Sequence, residues 1–298
     1  MTDLKGTWFV VPTPFTEAGG LDLGGQRSVV DAAIRWGVDG LTVMGVTSEA
    51  DELNESERES ALEAIASAVA GRVPVAVGCS APNVAVVRGR IDRARDLGAE
   101  AAMVAAPPGS EATTLPDFYR SIAEGAGLPI IVQDEPAATG VVIPVQILLS
   151  CIEAAGARVV KLEHAPTPPK ISALLDADRD LLVFGGLGGV AALAELRRGA
   201  CGTMTGFAFP EILAAVRRAH EAGERERAAE IFDRFLPLIQ YEAMFGLPVR
   251  KELLRRRAAF ARNLTRRASS VDDGVLAELE DVLARVGVTP SSDPLGVG

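Results

Sequence analysis

Between Thr7 and Thr205 the sequence alternates eight short apolar runs with seven stretches of helical spacing, and few folds accommodate that rhythm. The runs occupy 7–11, 40–45, 73–77, 101–105, 128–132, 158–161, 181–184 and 201–205. Between them, segments such as 26–36 place Val29, Ala32, Ala33 and Trp36 on one helical face. Asn54 and Glu57, three apart before Ala61-Leu62, have the spacing of a capping box. A sandwich needs hairpins and a bundle needs no strands, whereas parallel strands joined by helices satisfy the pattern directly. The chain is therefore read as α/β, a (β/α)8 TIM barrel with a C-terminal helical extension. A doubly wound sheet is the alternative, though it seldom needs eight parallel strands before an all-helical tail.

The tail begins at Pro210, with helical spacing over 212–222, 224–245, 248–263 and 275–286. The first of these completes the eighth unit, which divides the chain into a barrel over 1–222 and an extension over 223–298. No Gly-, Pro- or Ser-rich linker separates them, and 287–298 reads as a loosely ordered end. The basic run Arg250-Lys251, Arg255-Arg256-Arg257, Arg262 and Arg266-Arg267 reads as a solvated or subunit-facing surface, with anion binding as the other reading.

Composition excludes several roles. A net charge of -10 over 298 residues argues against nucleic acid as the main partner, yet leaves room for a small anionic substrate held by one local positive group. No apolar run approaches the roughly 18 residues of a membrane helix. The opening residues lack a basic segment followed by a long apolar one, so the expected location is cytoplasmic. Cys79, Cys151 and Cys201 are widely spaced, as reduced thiols would be, and His164 and His220 offer no clustered metal-ligand spacing. Neither a metal nor an organic cofactor is expected.

In a barrel the strand tips and the loops after them converge on one mouth. Thr13, Thr47, Ser48, Glu49, Gln133, Asp134, Glu135, Lys161, Glu163, Gly185-Gly186 and Thr205-Gly206 fall there. Lys161 ends the sixth run and Glu163 follows two residues later, so if strand geometry persists both side chains share one face. A lysine among apolar groups sheds the hydration that favours its charged form, and its amine becomes a nucleophile toward carbonyls. Capping the strand at the solvent edge is the plainer role for the same residue. Glu49 reads as favourable charge near the start of the second helix, with Asp51 and Glu52. The glycines around 185–189 suit either a phosphate cradle or a crowded mouth where backbone approaches a ligand.

These motifs resemble the dihydrodipicolinate synthase / N-acetylneuraminate lyase family over nearly the whole chain. Phe9-Val10-Val11-Pro12-Thr13-Pro14-Phe15 is similar to the family's first strand, and Gly45-Val46-Thr47-Ser48-Glu49 takes the place of its Gly-Thr-Thr-Gly-Glu loop. Glu52-Leu53 with Glu57-Arg58 continues the match, and Val160-Lys161 matches its Schiff-base lysine. Where the family has Tyr-Asn-x-Pro-x-x-Thr-Gly, this chain has Gln133-Asp134-Glu135-Pro136-Ala137-Ala138-Thr139-Gly140. Gln133 thus replaces the proton-shuttling tyrosine and Ala138 the substrate-binding arginine of the synthase. Pro108-Gly109 stand where paired tyrosines are expected, and Val46 replaces the first threonine of the relay. The Gln-Asp-x-Pro form resembles the branch containing L-2-keto-3-deoxyarabonate dehydratase, as do Lys161-x-Glu163, Thr203-Met204-Thr205-Gly206 and the run 236–242.

The resemblance implies a Schiff-base-forming lyase acting on a 2-keto-3-deoxy sugar acid, most simply a dehydratase. Lys161, Glu163 and Gln133 are its expected catalytic residues, and Thr13, Thr47, Ser48, Gly186 and Thr205 its substrate contacts. A pyruvate-dependent aldolase, a dihydrodipicolinate synthase-like enzyme and a non-catalytic keto-acid binder are the alternatives. A homotetramer or homodimer is expected from the family alone.

Overall fold

The computed structural model describes residues 4–257, 259–267, 270–290 and 294–295. Eight strands, β1 (Gly6–Val10), β2 (Gly40–Val43), β3 (Val75–Gly78), β4 (Ala101–Ala105), β5 (Ile130–Asp134), β6 (Val159–Leu162), β7 (Leu182–Gly185) and β8 (Gly202–Thr205), pair in chain order. Every pair is parallel, and β1 pairs with β8 to close the barrel. Each strand lies within two residues of one of the apolar runs. β3 and β5 start later than those runs because Pro74 and Pro129 have no amide to donate, although both carbonyls accept ladder bonds.

Between the strands lie α1 (Leu23–Arg35), α2 (Glu55–Val69), α3 (Val84–Asp96), α4 (Leu115–Ala123), α5 (Pro136–Thr139), α6 (Val145–Ala154), α7 (Thr167–Ala177), α8 (Ala192–Arg197) and α9 (Pro210–Glu221). α2 opens with the capping box read from the sequence: Asn54 Oδ1 accepts from the Glu57 amide at 2.9 Å and Glu57 Oε2 from the Asn54 amide at 3.1 Å. The four-residue α5 is too short to show a period and was not legible beforehand.

Both faces of the strands are covered, which is why they read as apolar runs and not as alternation. One set of side chains, including Trp8, Met103, Ile131, Val159, Phe184 and Met204, fills the barrel interior, with Trp8 and Phe184 edge to face at 6.0 Å. The other set, including Phe9, Leu41, Val132, Val160 and Val183, packs outward under the helices. Period-two geometry therefore fixes which strand residues can look into the mouth.

The tail forms α10 (Arg225–Phe245), α11 (Leu247–Arg256) and α12 (Asp273–Val286), and α10 packs on α8, α9 and α12. The single helix expected over 248–263 ends instead at Arg256. Arg257 accounts for the break: its guanidinium lies over the rings of Trp36 and Phe209, donates to Ala208 O at 2.6 Å and pairs with Glu211. The chain beyond runs back to the mouth, where Glu49 is wholly buried and accepts from Lys251 Nζ at 2.6 Å and from the amides of Arg266 and Arg267 at 2.7 and 2.9 Å. Glu49 is thus a tether for the C-terminal segment and not a surface charge beside α2. The basic run is only partly a solvated face: Arg255, Arg262 and Arg267 are exposed, whereas Arg250 and Lys251 are buried. Of the end expected to be loose, Gly287 caps α12 and Val288 is buried, while 291–293 and 296–298 lie outside the described residues. No helix among the described residues is long and apolar enough to cross a membrane.

Candidate active site

Strands β5 and β6 run side by side with Ile131 opposite Val159 and Gln133 opposite Lys161. On the interior face each passes from an apolar residue to a polar one as it rises toward the mouth. Ladder bonding continues past the end of β6, because the Glu163 amide donates to Asp134 O at 2.8 Å, so Glu163 stays on the face of Lys161. Lys161 is 4 % exposed, and its Nζ lies 2.8 Å from Glu163 Oε2. The Gln133 amide nitrogen donates to the same Oε2 at 2.8 Å and to Glu135 Oε2 at 2.5 Å. A side-chain –NH2 has two hydrogens and here each finds a carboxylate, which also fixes the amide's orientation, since its oxygen would be repelled there.

Gly186, offered by the sequence as a substrate contact, explains where Glu163 sits. A Cβ at 186 would lie 2.3 Å from Glu163 Cγ, so only glycine leaves room for the glutamate to turn toward Lys161. Behind it, on the outer side of β7, Glu195 of α8 is wholly buried against Gly185 and accepts a bond from Thr167 Oγ1, while its Oε2 has no partner among the described residues. Burial first, and then the Glu163 carboxylate, pushes Glu195 up to about 7.

The remaining predicted contacts divide. Thr13 Oγ1 donates to Ser48 O at 2.6 Å, and Ser48 Oγ donates to Val11 O at 2.6 Å, so both spend their single hydroxyl hydrogen on backbone. Thr205 alternates with inward Met204, lies on the outer side of the barrel, and accepts from the Phe207 amide at 3.3 Å. Thr13 and Ser48 thus tie loops together and offer no donor to the mouth, and Thr205 faces away from it. Asp134 is also outward, wholly buried and paired with Lys170 at 2.6 Å, and Lys170 reaches His164 Nδ1 at 3.2 Å. Thr47 differs: its Oγ1 accepts from Arg250 Nη1 at 3.3 Å and donates to no described residue. Arg250 is anchored in turn by Glu242 at 2.7 Å. Its arrival from α11 had no local sequence signal, because 203 positions separate it from Thr47.

Glu135, placed at the mouth by the sequence but given no role there, follows Gln133 as Glu163 follows Lys161 and so shares its face. It lines a cavity of about 590 Å³ together with Gln133, Met103, Ala105, Pro108 and Ala138. Burial, followed by repulsion from Glu163, pushes its carboxyl up to about 8. The far wall carries Asp51, Arg58, Arg90 and Arg267. Pro108 and Ala138, the small replacements noted in the sequence, face this space directly. Among the described residues no group of three or more His, Cys, Asp or Glu side chains is placed to hold a metal ion.

The arrangement supplies an amine, a carboxylate in contact with it, an amide holding that carboxylate, and a second carboxyl on the wall of an open cavity. The sequence profile of the Dihydrodipicolinate synthetase family matches residues 3–267. The chain is similar to an L-2-keto-3-deoxyarabonate dehydratase of Azospirillum brasilense, 32 % identical over 260 residues that cover 84 % of each chain. It is equally similar to a 4-hydroxy-tetrahydrodipicolinate synthase of Xanthomonas axonopodis pv. citri, 32 % identical over 271 residues covering 88 % of this chain and 87 % of the relative. The crystal structure of a dihydrodipicolinate synthase from Rhodopseudomonas palustris superposes with a TM-score of 0.88 at 32 % identity, covering 94 % of this chain and 97 % of that one.

Proposed function

This chain belongs to the dihydrodipicolinate synthetase family, and we propose that within it the protein is a Schiff-base-forming dehydratase of a 2-keto-3-deoxy sugar acid. The observation that carries the proposal is the contact chain from Lys161 through Glu163 to Gln133, with an amide where the family's tyrosine stands. Lys161 attacks C2 of the keto acid, and Glu163, already in contact with Nζ, takes the proton that the amine releases. Glu163 returns that proton to the C2 oxygen, which leaves as water, and the resulting iminium draws electron density from the adjacent carbon and loosens the C3 hydrogen. Glu163 removes that hydrogen, and the C4 hydroxyl departs as water. Hydrolysis then frees a dehydrated keto acid that keeps all its carbons.

Cleaving C3–C4 would instead require a group to take the proton of the C4 hydroxyl, the task of the tyrosine. Gln133 does not titrate and cannot perform it, which favours dehydration over aldol chemistry. The substrate carboxylate is assigned to the Thr47 hydroxyl, beside Arg250, and the cavity lined by Gln133 and Glu135 to the sugar tail. The likeness to 4-hydroxy-tetrahydrodipicolinate synthases supports synthase or aldolase activity as the second reading. Against it stand Ala138 and Pro108, which offer neither the arginine nor the tyrosine such chemistry would use. Assembly as a homodimer or homotetramer is part of the same proposal, and light scattering tests it.

Borohydride reduction in the presence of pyruvate, followed by intact mass, tests the shared first step. The adduct is expected in the wild type and absent in Lys161→Ala. Turnover of a panel of 2-keto-3-deoxy acids then decides the reaction, since pyruvate plus an aldehyde would replace the dehydratase reading with the aldolase one. An unchanged mass with every keto acid tried would remove the lyase reading altogether.

A further inference from the structure

We propose that Glu135 is the acid that protonates the departing C4 hydroxyl, so that the reaction uses two carboxyl groups in opposite states. The inference rests on the lyase reading above and adds a residue to it. Two oxygens that accept the two hydrogens of one trigonal –NH2 lie about 4–5 Å apart. That separation lets one carboxylate reach the hydrogen on C3 while the other reaches the oxygen on C4, one carbon further along. Glu163 is the member in contact with the amine, so it faces the carbons nearest the iminium. Glu135 is the member on the cavity wall, where the rest of the substrate must lie.

The two roles need opposite protonation, and their surroundings supply it. Glu163 Oε2 lies 2.8 Å from Lys161 Nζ, in direct ion-pair contact. Among the described residues Glu135 has no cation in hydrogen-bond contact; burial and the neighbouring Glu163 charge favour its neutral form, opposed by the more distant Lys161 and by the Gln133 amide. Across the cavity, Arg58 donates to Ala50 O and Gly78 O, Arg90 to Ser80 O and Glu55, and Arg267 pairs with Asp51, so those cations are engaged elsewhere.

The step balances without any other reactant. The C3–H electron pair becomes the C2–C3 double bond of the enamine as the proton passes to Glu163. The enamine then expels the C4–O pair, to which Glu135 delivers its proton, and water leaves. Glu163 ends protonated and Glu135 ionised, and cavity water returns the proton before the next turnover. Gln133 fits this division because it holds both carboxyl groups while taking no proton itself.

The test is Glu135→Gln, with Glu135→Ala as a second variant, assayed on the 2-keto-3-deoxy acid turned over fastest and on its 4-fluoro analogue. Fluoride is a far weaker base than hydroxide and leaves without general acid help. Both variants are expected to trap pyruvate with borohydride as the wild type does. Dehydration should fall by about 100-fold or more, a usual range for losing a general acid, while fluoride release stays within a few-fold of the wild type. In the wild type kcat should decline as pH rises through about 8, and that limb should vanish in Glu135→Gln. Normal trapping with unaltered dehydration, or equal slowing of both substrates, overturns the inference alone. A wild-type protein that traps no adduct overturns the lyase reading and this assignment with it.

Discussion

Replacing Lys251 by methionine removes half of an ion pair in which neither side chain is exposed. Methionine keeps the stem and its packing, so the loss is confined to the ammonium. Breaking one side of a buried pair costs about 3–5 kcal/mol, because the remaining charge is stranded. Here Glu49 Oε1 keeps two backbone donors, from Arg266 and Arg267, which argues for the lower end, about 3 kcal/mol. Lys251 also donates to Leu264 O at 2.7 Å, and losing that bond adds about 1 kcal/mol. The expected total is about 4 kcal/mol, or roughly 8 °C in melting temperature for a chain of this size. Urea denaturation of Lys251→Met, Glu49→Gln and the double variant measures it. The double variant, which removes the stranded charge, should be at least about 2 kcal/mol more stable than the two single losses added together. Strict additivity, or a Lys251→Met loss below about 1 kcal/mol, would refute the view that this pair clasps the C-terminal segment to the barrel.

Other expectations follow from the same geometry. Glu195, raised from 4.5 to about 7, adds stability that is fully present below pH 4.5 and lost as pH rises through 7; the full swing is about 3 kcal/mol. Glu195→Gln should flatten that dependence, read as the difference in urea midpoint between pH 5 and pH 8. Gly186→Ala should displace Glu163 and lower kcat about 100-fold, with circular dichroism unchanged and Schiff-base trapping slower but still complete. Thr47→Val should raise KM for the keto acid about 10-fold, the value of one hydrogen bond to a charged group, with kcat little altered.

The barrel was legible because each strand is buried on both faces, and an apolar run of that kind survives in the sequence without help from distant residues. Lys161 and Glu163 were legible for the same reason: two residues apart on one strand, they needed only a local period to be paired. Thr13 and Ser48 were placed at the mouth correctly in the chain, but a hydroxyl's direction depends on which carbonyl lies nearest, and that is set by loops from other units; Thr205 faces outward by strand parity, alternating with inward Met204. Gly186 was singled out for contact with ligand, and the structure adds a steric role, room for Glu163, that the sequence did not show. Arg250 and Lys251 could not be read, since basic residues near the end of a chain look the same whether solvated or folded back 200 positions onto a half-buried threonine and a buried glutamate.

Closure through β1 and β8 sets an order on biosynthesis. The first strand emerges with both of its edges open, and the partner that covers one of them, Gly202 against Gly6, is translated almost 200 residues later. At ordinary elongation rates that interval is about 10–40 s, during which an apolar strand edge is available to any other chain nearby. The Glu49–Lys251 contact comes later still, so the nascent barrel acquires its hydrogen-bonded ring before its rim is fastened. A ribosome-stalled chain ending near residue 222 should therefore need chaperone shelter more than the finished protein does.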